Sequence, residues 1–136
     1  PTETAEMLVD GWLHSGDIGF VDEEGWFYLI DRKKDMISAS GFKVWPREVE
    51  DAIYAFPGVR EVAVVGAADP YRGETVIAFV SAQPGVAIDV EALSRFCRER
   101  LAAYKCPSEI RVLADLPKTE SGKITRNTLR DSIRDR

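Results

Sequence analysis

Residues 59–82, VREVAVVGAADPYRGETVIAFVSA, decide the fold of this chain. The valine-rich runs Val59 to Gly66 and Thr75 to Ala82 predict two strands, because β-branched side chains pack well on the pleated surface of a sheet. The stretch from Ala68 to Gly73 separates them as a loop. We expect both strands to belong to one short sheet, mixed or antiparallel.

Apolar residues at helical spacing predict three helices around these strands. The first begins near Pro46, where proline is tolerated, and stops at Pro57 and Gly58. The second has Asp89 as its N-cap and the third has Thr125 as its cap. Apolar or partly apolar side chains that repeat at three and four residues are Val49, Ala52, Ile53 and Phe56, then Leu93, Phe96, Cys97, Arg100 and Leu101, and finally Leu129 and Ile133.

A short strand at Ile110 to Leu113 completes the order helix, strand, strand, helix, strand, helix, with no internal repeat. This order predicts an α+β fold in which about three helices cover a short mixed or antiparallel sheet.

The first third of the chain has a different organisation. Ile18 to Val21 and Trp26 to Ile30 flank the acidic residues 22–25 and predict a β-hairpin with a tight turn. Five consecutive charges follow, from Asp31 to Asp35. Their composition suits a solvated turn, and their place between the hairpin and the next apolar segment predicts a domain boundary.

Length, composition and net charge restrict the size of the domain and the classes of partner that the chain can bind. The chain has 136 residues, of which 45% are hydrophobic, so we expect one small domain with a modest core. Its net charge of −5 argues against nonspecific nucleic-acid binding, which depends on lysine and arginine neutralising phosphates. No apolar run approaches the roughly 18 to 20 residues that span a bilayer. Cys97 and Cys106 fit no metal spacing and predict free thiols. We expect a cytoplasmic protein and leave peripheral membrane association open.

A single lysine near the C-terminus is the main candidate for chemistry. Pro117 to Lys123, PKTESGK, places Lys123 after a glycine on a loop that we interpret as flexible, with no nearby acid positioned to neutralise the lysine. A P-loop would need glycine at the position of Pro117 and Ser or Thr at that of Ile124, so that interpretation fails. A mobile cation of this kind suits a phosphate or carboxylate partner, although an isolated Ser-Gly-Lys is typical of a solvated turn.

Two further blocks share the chain with this loop: residues 11–19, GWLHSGDIG, and residues 31–44, DRKKDMISASGFKV. In this order and at these separations, the three blocks resemble the last motifs of the acyl-adenylate-forming enzymes. That superfamily comprises acyl-CoA synthetases, peptide-synthetase adenylation domains and luciferases. The resemblance covers nearly the whole chain, and residues 40–50, SGFKVWPREVE, look most like fatty acyl-CoA ligases.

The resemblance implies a role for each matching residue. Lys123 would be the catalytic lysine that meets the charge on the phosphates. Asp17 and Arg32 would bind the ribose of the nucleotide, a task for which a carboxylate offers two acceptor oxygens to two vicinal hydroxyls. Lys34 would be the hinge about which the small domain swings between two catalytic poses. Residues 1–33 would then be the end of the large N-terminal adenylating domain, and residues 34–136 the mobile C-terminal domain.

The resemblance also implies a binding surface for CoA. Gly41 would line the tunnel for the pantetheine arm, although a plain turn glycine is an alternative. Lys43 would lie near the phosphates, and Arg72, Tyr104 and Lys105 would hold the nucleotide end through stacking and charge. The chain departs from some relatives at two positions: Arg72 stands where they have an aromatic residue, and Cys106 where they have a second basic one.

The function implied is that of an AMP-forming acyl-CoA ligase acting on a carboxylic acid, with a fatty acid as the expected substrate. ATP with Mg²⁺ and CoA would be its substrates, and we expect this chain alone neither to bind Mg²⁺ nor to turn over without the large domain. Its expected partners are that domain and small molecules, with no nucleic acid. The alternatives are an adenylation domain that loads a carrier protein, a luciferase-like oxygenase, and a noncatalytic interaction module derived from such an enzyme.

Overall fold

The computed structural model of the protein describes residues 8–9, 12–13, 17–21 and 23–134. The chain divides into two compact units after Asp35. Its strands are β1 (Leu8–Val9), β2 (Trp12–Leu13), β3 (Asp17–Val21), β4 (Phe27–Arg32), β5 (Ile37–Ala39), β6 (Phe42–Val44), β7 (Val59–Asp69), β8 (Gly73–Ala82) and β9 (Glu109–Val112). Its α-helices are α1 (Pro46–Tyr54), α2 (Val90–Arg100) and α3 (Arg126–Arg134), and short 3₁₀ turns cover Lys33–Asp35 and Ala103–Lys105.

The described residues of the first unit form two antiparallel strand pairs, β1 with β2 and β3 with β4, followed by the 3₁₀ turn. The β3–β4 pair is the predicted hairpin, shifted by one or two residues at its ends. A bulge between Ile18 and Gly19 interrupts its register. The turn contains Glu23 and Glu24, while Asp22, predicted to share it, lies outside the described residues.

The second unit is built on one five-stranded sheet in the order β6, β5, β8, β7, with β9 also paired to β8. Four strands pair in antiparallel fashion, and β9 runs parallel to β8. The prediction of an α+β fold with about three helices and a short mixed or antiparallel sheet is therefore confirmed, and the parallel strand β9 makes the sheet mixed.

The central strands are longer than predicted, and the loop between them is shorter. β7 and β8 stay paired as far as Asp69 opposite Gly73, so only residues 70–72 form the loop. The Asp69 carboxylate accepts hydrogen bonds from the backbone N–H groups of Tyr71 and Arg72, each at 2.9 Å. These bonds replace backbone pairing at the tip and explain how so short a connection is satisfied.

Alternate residues of β7 and β8 face opposite sides of the sheet, as the period of a strand requires. Cluster 1 is the core on one face: it contains Val62, Val64, Val76, Ala78 and Val80 with side chains from β5, β6, α1 and α2. Cluster 2 is the core on the other face: it contains Ala63, Val65, Ile77 and Phe79 with Leu116 and Leu129. The helices α1 and α2 therefore cover one face, and α3 covers the other.

The helices begin and end close to the predicted positions. Asp89 is the N-cap of α2, and its carboxylate accepts from the N–H groups of Glu91 at 3.0 Å and Ala92 at 3.2 Å. Cys97 and Leu93 are fully buried on the same side of α2. Sequence periodicity gave no sign of β5 and β6, since strands of three residues are too short to show an alternation.

Candidate functional site

Asp17 and Arg32 are directly opposite one another in the β3–β4 ladder. Cβ atoms of such cross-strand partners lie about 4.5 to 5.5 Å apart. The two residues expected to contact the same ribose therefore start from adjacent backbone positions, although they are 15 positions apart in the sequence. Arg32 is exposed at the end of β4.

Lys34 is the middle residue of the 3₁₀ turn that follows β4 directly. It is exposed, whereas the adjacent Asp35 is buried at 5% exposure. The expectation of a wholly solvated charged turn is thus wrong for Asp35. Lys34 itself lies one residue before the division between the two units, and its role as the hinge stays a prediction.

The Lys123 loop is a hydrogen-bonded hairpin rather than the flexible loop expected from the sequence. Thr119 N–H donates to the Lys123 carbonyl at 2.8 Å, and Gly122 N–H donates to the Thr119 carbonyl at 2.9 Å. Gly122 has a φ of +87°, a conformation that residues with a Cβ rarely adopt. Thr125 N–H closes the base by donating to the Pro117 carbonyl at 2.8 Å. Hydrogen bonds therefore fix the backbone of this segment, residues 117–125, which we call the Lys123 hairpin. The conformational freedom lies in the Lys123 side chain.

The Lys123 side chain is exposed at the tip of this hairpin. None of the ion pairs between described residues involves its ammonium group. The expectation that no local acid neutralises Lys123 thus holds for the described part of the chain. A cation presented on a fixed backbone is available to an anionic ligand.

Gly41 lies in the two-residue turn between β5 and β6. Ser40 has a φ of 53° and Gly41 a φ of 82°, and a type I′ turn requires positive φ at both central positions. A Cβ built on Gly41 would meet no atom of the chain within 4 Å. The turn conformation therefore accounts for the glycine, and the space beside it is open.

Two of the candidate CoA residues meet at this hairpin. Ser40 N–H, next to Gly41, donates to the carbonyl of Arg72 at 2.8 Å, which holds the β5–β6 turn against the β7–β8 loop. Lys43 is exposed on β6 opposite Ser38. The exposed ring of Phe42 completes the surface by stacking on another aromatic side chain, Tyr104, with centroids 4.5 Å apart and planes 21° apart.

Lys105 is near this surface but is already paired. Its ammonium group donates to Glu48 Oε1 at 2.7 Å, and this hydrogen bond raises the pKa of Lys105. The nitrogen also lies 5.6 Å from the Tyr104 ring centroid. Binding of a phosphate by Lys105 would require the lysine to share or leave Glu48.

The Phe42–Tyr104 stack and the Lys123 hairpin lie on opposite faces of the sheet. Tyr104 packs against cluster 1, whereas Ile124, which follows Lys123, packs against cluster 2. Lys43 is next to the cluster 1 residue Val44 on β6, so its side chain points away from cluster 1.

Sequence reasoning missed several residues that shape these surfaces. Phe42, Asp69 and Lys118 all contact or order the candidate residues. Asp69 gave a usable signal, because aspartate followed by proline is typical of the first two positions of a turn. Lys118 gave none for its contact with Glu61, since the two residues are far apart in the sequence and are brought together by the tertiary fold.

Burial disfavours the thiolate form of both cysteines. Burial raises the pKa of the Cys97 thiol to about 11 and also raises the pKa of the Cys106 thiol. Both are free, as the sequence predicted.

Within residues 8–9, 12–13, 17–21 and 23–134, no group of three or more His, Cys, Asp or Glu side chains could hold a metal ion. In the same part of the chain, no helix has the length and apolar character needed to cross a bilayer.

Comparison with known proteins identifies a family for this chain. A family model described as the AMP-binding enzyme C-terminal domain matches residues 48–123. The long-chain-fatty-acid–CoA ligase of Bacillus subtilis is 52% identical over 129 residues, which are 95% of this chain and 23% of that protein. The chain spans about a quarter of the length of the curated relatives that it matches.

Solved structures with the same fold include an ATP-bound enzyme and a fatty acyl CoA synthetase. ATP-bound MatB from Rhodopseudomonas palustris superposes with a TM-score of 0.91 at 34% identity, covering 99% of this chain and 27% of MatB. The fatty acyl CoA synthetase of Mycobacterium tuberculosis superposes with a TM-score of 0.76 at 39% identity, covering 97% of this chain and 26% of that enzyme.

Proposed function

Because the chain belongs to the family of AMP-binding enzyme C-terminal domains, we propose that it is the small domain of an AMP-forming acyl-CoA ligase. The whole enzyme would activate a carboxylic acid as an acyl-adenylate and pass the acyl group to CoA. A fatty acid is the proposed substrate class, since the B. subtilis relative is named a long-chain-fatty-acid–CoA ligase. We also propose a cytoplasmic location, which stays a prediction from the sequence.

One observation carries the catalytic part of this proposal: Lys123 is exposed on a hydrogen-bonded hairpin and has no ion-pair partner among the described residues. In the first half-reaction, a carboxylate oxygen of the acid attacks the α-phosphorus of Mg-ATP, and the bond to the β-phosphate oxygen breaks. Negative charge grows on the phosphoryl oxygens and on the departing pyrophosphate. A cation already held near that position stabilises this charge without reorganisation.

Asp17 and Arg32 are proposed to hold the ribose of the same nucleotide. Their opposite positions in the β3–β4 ladder suit a joint contact with two vicinal hydroxyls. The carboxylate would accept from both hydroxyls, while the guanidinium would donate to a ribose oxygen. Mg²⁺ would arrive with the triphosphate.

The second half-reaction uses the other face of the small domain. The CoA sulfur attacks the acyl carbonyl carbon, the bond to AMP breaks, and the thiol proton passes to solvent. We propose that rotation about Lys34 withdraws Lys123 and presents the surface around Gly41. The Phe42–Tyr104 stack beside the Gly41 turn and the Lys123 hairpin lie on opposite faces of the sheet, which supports a mechanism in which one domain serves two steps in turn.

CoA is proposed to lie along the Gly41 turn, whose open side would accommodate the pantetheine arm. Arg72 and Lys43 are exposed beside it, and the Phe42–Tyr104 stack offers an aromatic surface to adenine. Lys105 would contribute only after rearranging its ion pair with Glu48.

A product screen on the full-length enzyme that contains this chain tests the proposal. The enzyme is incubated with a panel of carboxylic acids, Mg-ATP and CoA, and AMP and thioester are measured by mass spectrometry. We expect AMP and thioester in equal amounts with a fatty acid, and no AMP above background from this chain alone. Formation of acyl-adenylate without thioester would instead favour a carrier-loading adenylation domain. Turnover by the isolated chain would contradict the proposal that the large domain is also needed.

A further inference from the structure

An ion pair fixes the residue at which the Lys123 hairpin becomes α3. Arg126, the first residue of α3, donates from Nη2 to both carboxylate oxygens of Glu50, at 2.8 Å each. The side chains are 28% and 10% exposed, respectively. Charge-assisted hydrogen bonds in a partly desolvated setting are stronger and more directional than neutral ones at the surface. The start of α3 is thereby tied to α1.

Glu50 is itself held from a second direction. Its Oε2 accepts the backbone N–H of Val64 at 2.9 Å. Val64 lies on β7, the outer strand of the sheet, where an unpaired N–H would otherwise remain at an edge. The carboxylate therefore bridges a strand and a helix terminus, and its position is determined by both.

The pair also joins the two layers of the domain. Val49 and Ile53, on α1 beside Glu50, belong to cluster 1. Leu129, on α3 with Arg126, belongs to cluster 2. Because the two helices cover opposite faces, the Glu50–Arg126 pair passes around the edge of the sheet. This ion pair, three residues after Lys123, connects the Lys123 hairpin to α1.

The other end of the hairpin is anchored to the same strand. Lys118 donates to Glu61 Oε2 on β7 at 2.6 Å. Glu61 Oε1 in turn accepts from the buried hydroxyl of Ser81 on β8 at 2.8 Å. Lys118 contacts Glu61 on β7, and Arg126 contacts Glu50, which accepts from Val64 on β7. Both ends of the hairpin are therefore anchored to β7.

We propose that Glu50 and Arg126 are positioning residues for adenylation: their pair sets the orientation of the hairpin so that Lys123 reaches the developing phosphate charge. This inference rests on the function proposed above for Lys123. Neither residue needs to touch substrate. A displacement of about 1 Å at a catalytic group reduces rates on the order of 10²-fold, so a small rotation of the hairpin is enough to matter.

The test uses Arg126→Gln and Glu50→Gln in the full-length enzyme, assayed separately for each half-reaction. Glu50→Gln keeps an oxygen that can accept from Val64 N–H, so it removes the charge with the least change at the strand. We expect kcat for adenylation to fall roughly 10-fold to 100-fold with little change in KM for ATP. Thioester formation from supplied acyl-adenylate and CoA should change less than about twofold, because Lys123 is absent from that pose. Arg126→Lys should recover part of the adenylation rate, since it keeps the charge but not the planar guanidinium.

Arg98→Gln is the matched control, because Arg98 is exposed on α2 and donates to the hydroxyl of its helix neighbour Ser94 at 3.1 Å. It should leave both steps unchanged. Equal losses in both half-reactions, loss of folding in both Gln variants, or full adenylation in both would each overturn the positioning role. Lys123→Ala in the same assay separates the two claims. If it abolishes adenylation while both Gln variants keep the wild-type adenylation rate, only this inference fails. If it leaves adenylation intact, the proposed function fails with it.

Discussion

Lys118 and Lys123 lie five residues apart in one hairpin and have opposite surroundings. The Lys118 ammonium donates to Glu61 at 2.6 Å, to Asp115 at 2.7 Å and to the Leu116 carbonyl at 3.0 Å. Those three acceptors match the three donors of an ammonium group. Lys123 is exposed and has no carboxylate partner among the described residues. Lys118 therefore stabilises the hairpin, and Lys123 is available to bind a ligand.

The contribution of the Lys118–Asp115 ion pair to the stability of the fold should depend on pH. The hydrogen bond from Lys118 is the main cause that holds the pKa of the Asp115 carboxyl below its usual value of about 3.9. A carboxyl with a depressed folded-state pKa stabilises the fold above its unfolded pKa, and the contribution is lost as the pH falls through the folded pKa. In urea denaturation of this chain, we expect Asp115→Asn to lower the midpoint at about pH 6 and to have a much smaller effect at about pH 2.

The control for Asp115→Asn is Asp51→Asn, at an exposed position on α1. It should shift the midpoint little at either pH. A difference between wild type and Asp115→Asn that is as large in acid as at neutral pH would show that the ion pair with Lys118 is not its source.

The β7–β8 loop gives a prediction for CoA binding. Hydrogen bonds from the N–H groups of Arg72 and Tyr71 lower the pKa of the Asp69 carboxyl and fix the loop that carries Arg72. Asp69→Ala removes both bonds, and we expect KM for CoA to rise roughly threefold to tenfold while KM for ATP stays unchanged. Asp69→Asn keeps one acceptor oxygen and should retain most of the CoA affinity. A parallel rise in both KM values would place the loop outside the CoA surface.

Lys34 should tolerate alanine better than proline in the full-length enzyme. Proline fixes φ near −65° and removes the N–H, so it would restrict a backbone that has to change conformation during rotation. One half-reaction should then fail in Lys34→Pro while the other survives, and Lys34→Ala should retain both. Stopped-flow assays of each step make the comparison, and equal loss of both steps in the proline variant would indicate misfolding rather than a trapped pose.

The sequence predicted the elements whose signals are local. The valine runs identified β7 and β8, the spacing of Leu93 and Cys97 identified α2, and the side-chain chemistry of Asp89 identified its cap. Each signal arises within a few residues of the element that it predicts. The mixed sheet and the three helices followed from their order.

The contacts that organise the candidate site are not local. Glu50 and Arg126 are 76 positions apart, and Lys105 and Glu48 are 57 apart, so no periodicity connects them. In the structure, Glu50 is buried on α1 next to Val49, where an unpaired charge would be strongly unfavourable. Such a residue predicts a partner without identifying it.

Lys123→Ala in the full-length enzyme distinguishes the two half-reactions, because Lys123 is proposed to act in adenylation and to be withdrawn before thioester formation. We expect adenylate formation to slow by at least roughly 10²-fold to 10³-fold, the scale of losing one transition-state donor in a desolvated site. Conversion of supplied acyl-adenylate and CoA to thioester should change little, since a residue absent from the second pose cannot stabilise its transition state. Equal loss of both steps, or no loss of adenylation, would contradict the assignment.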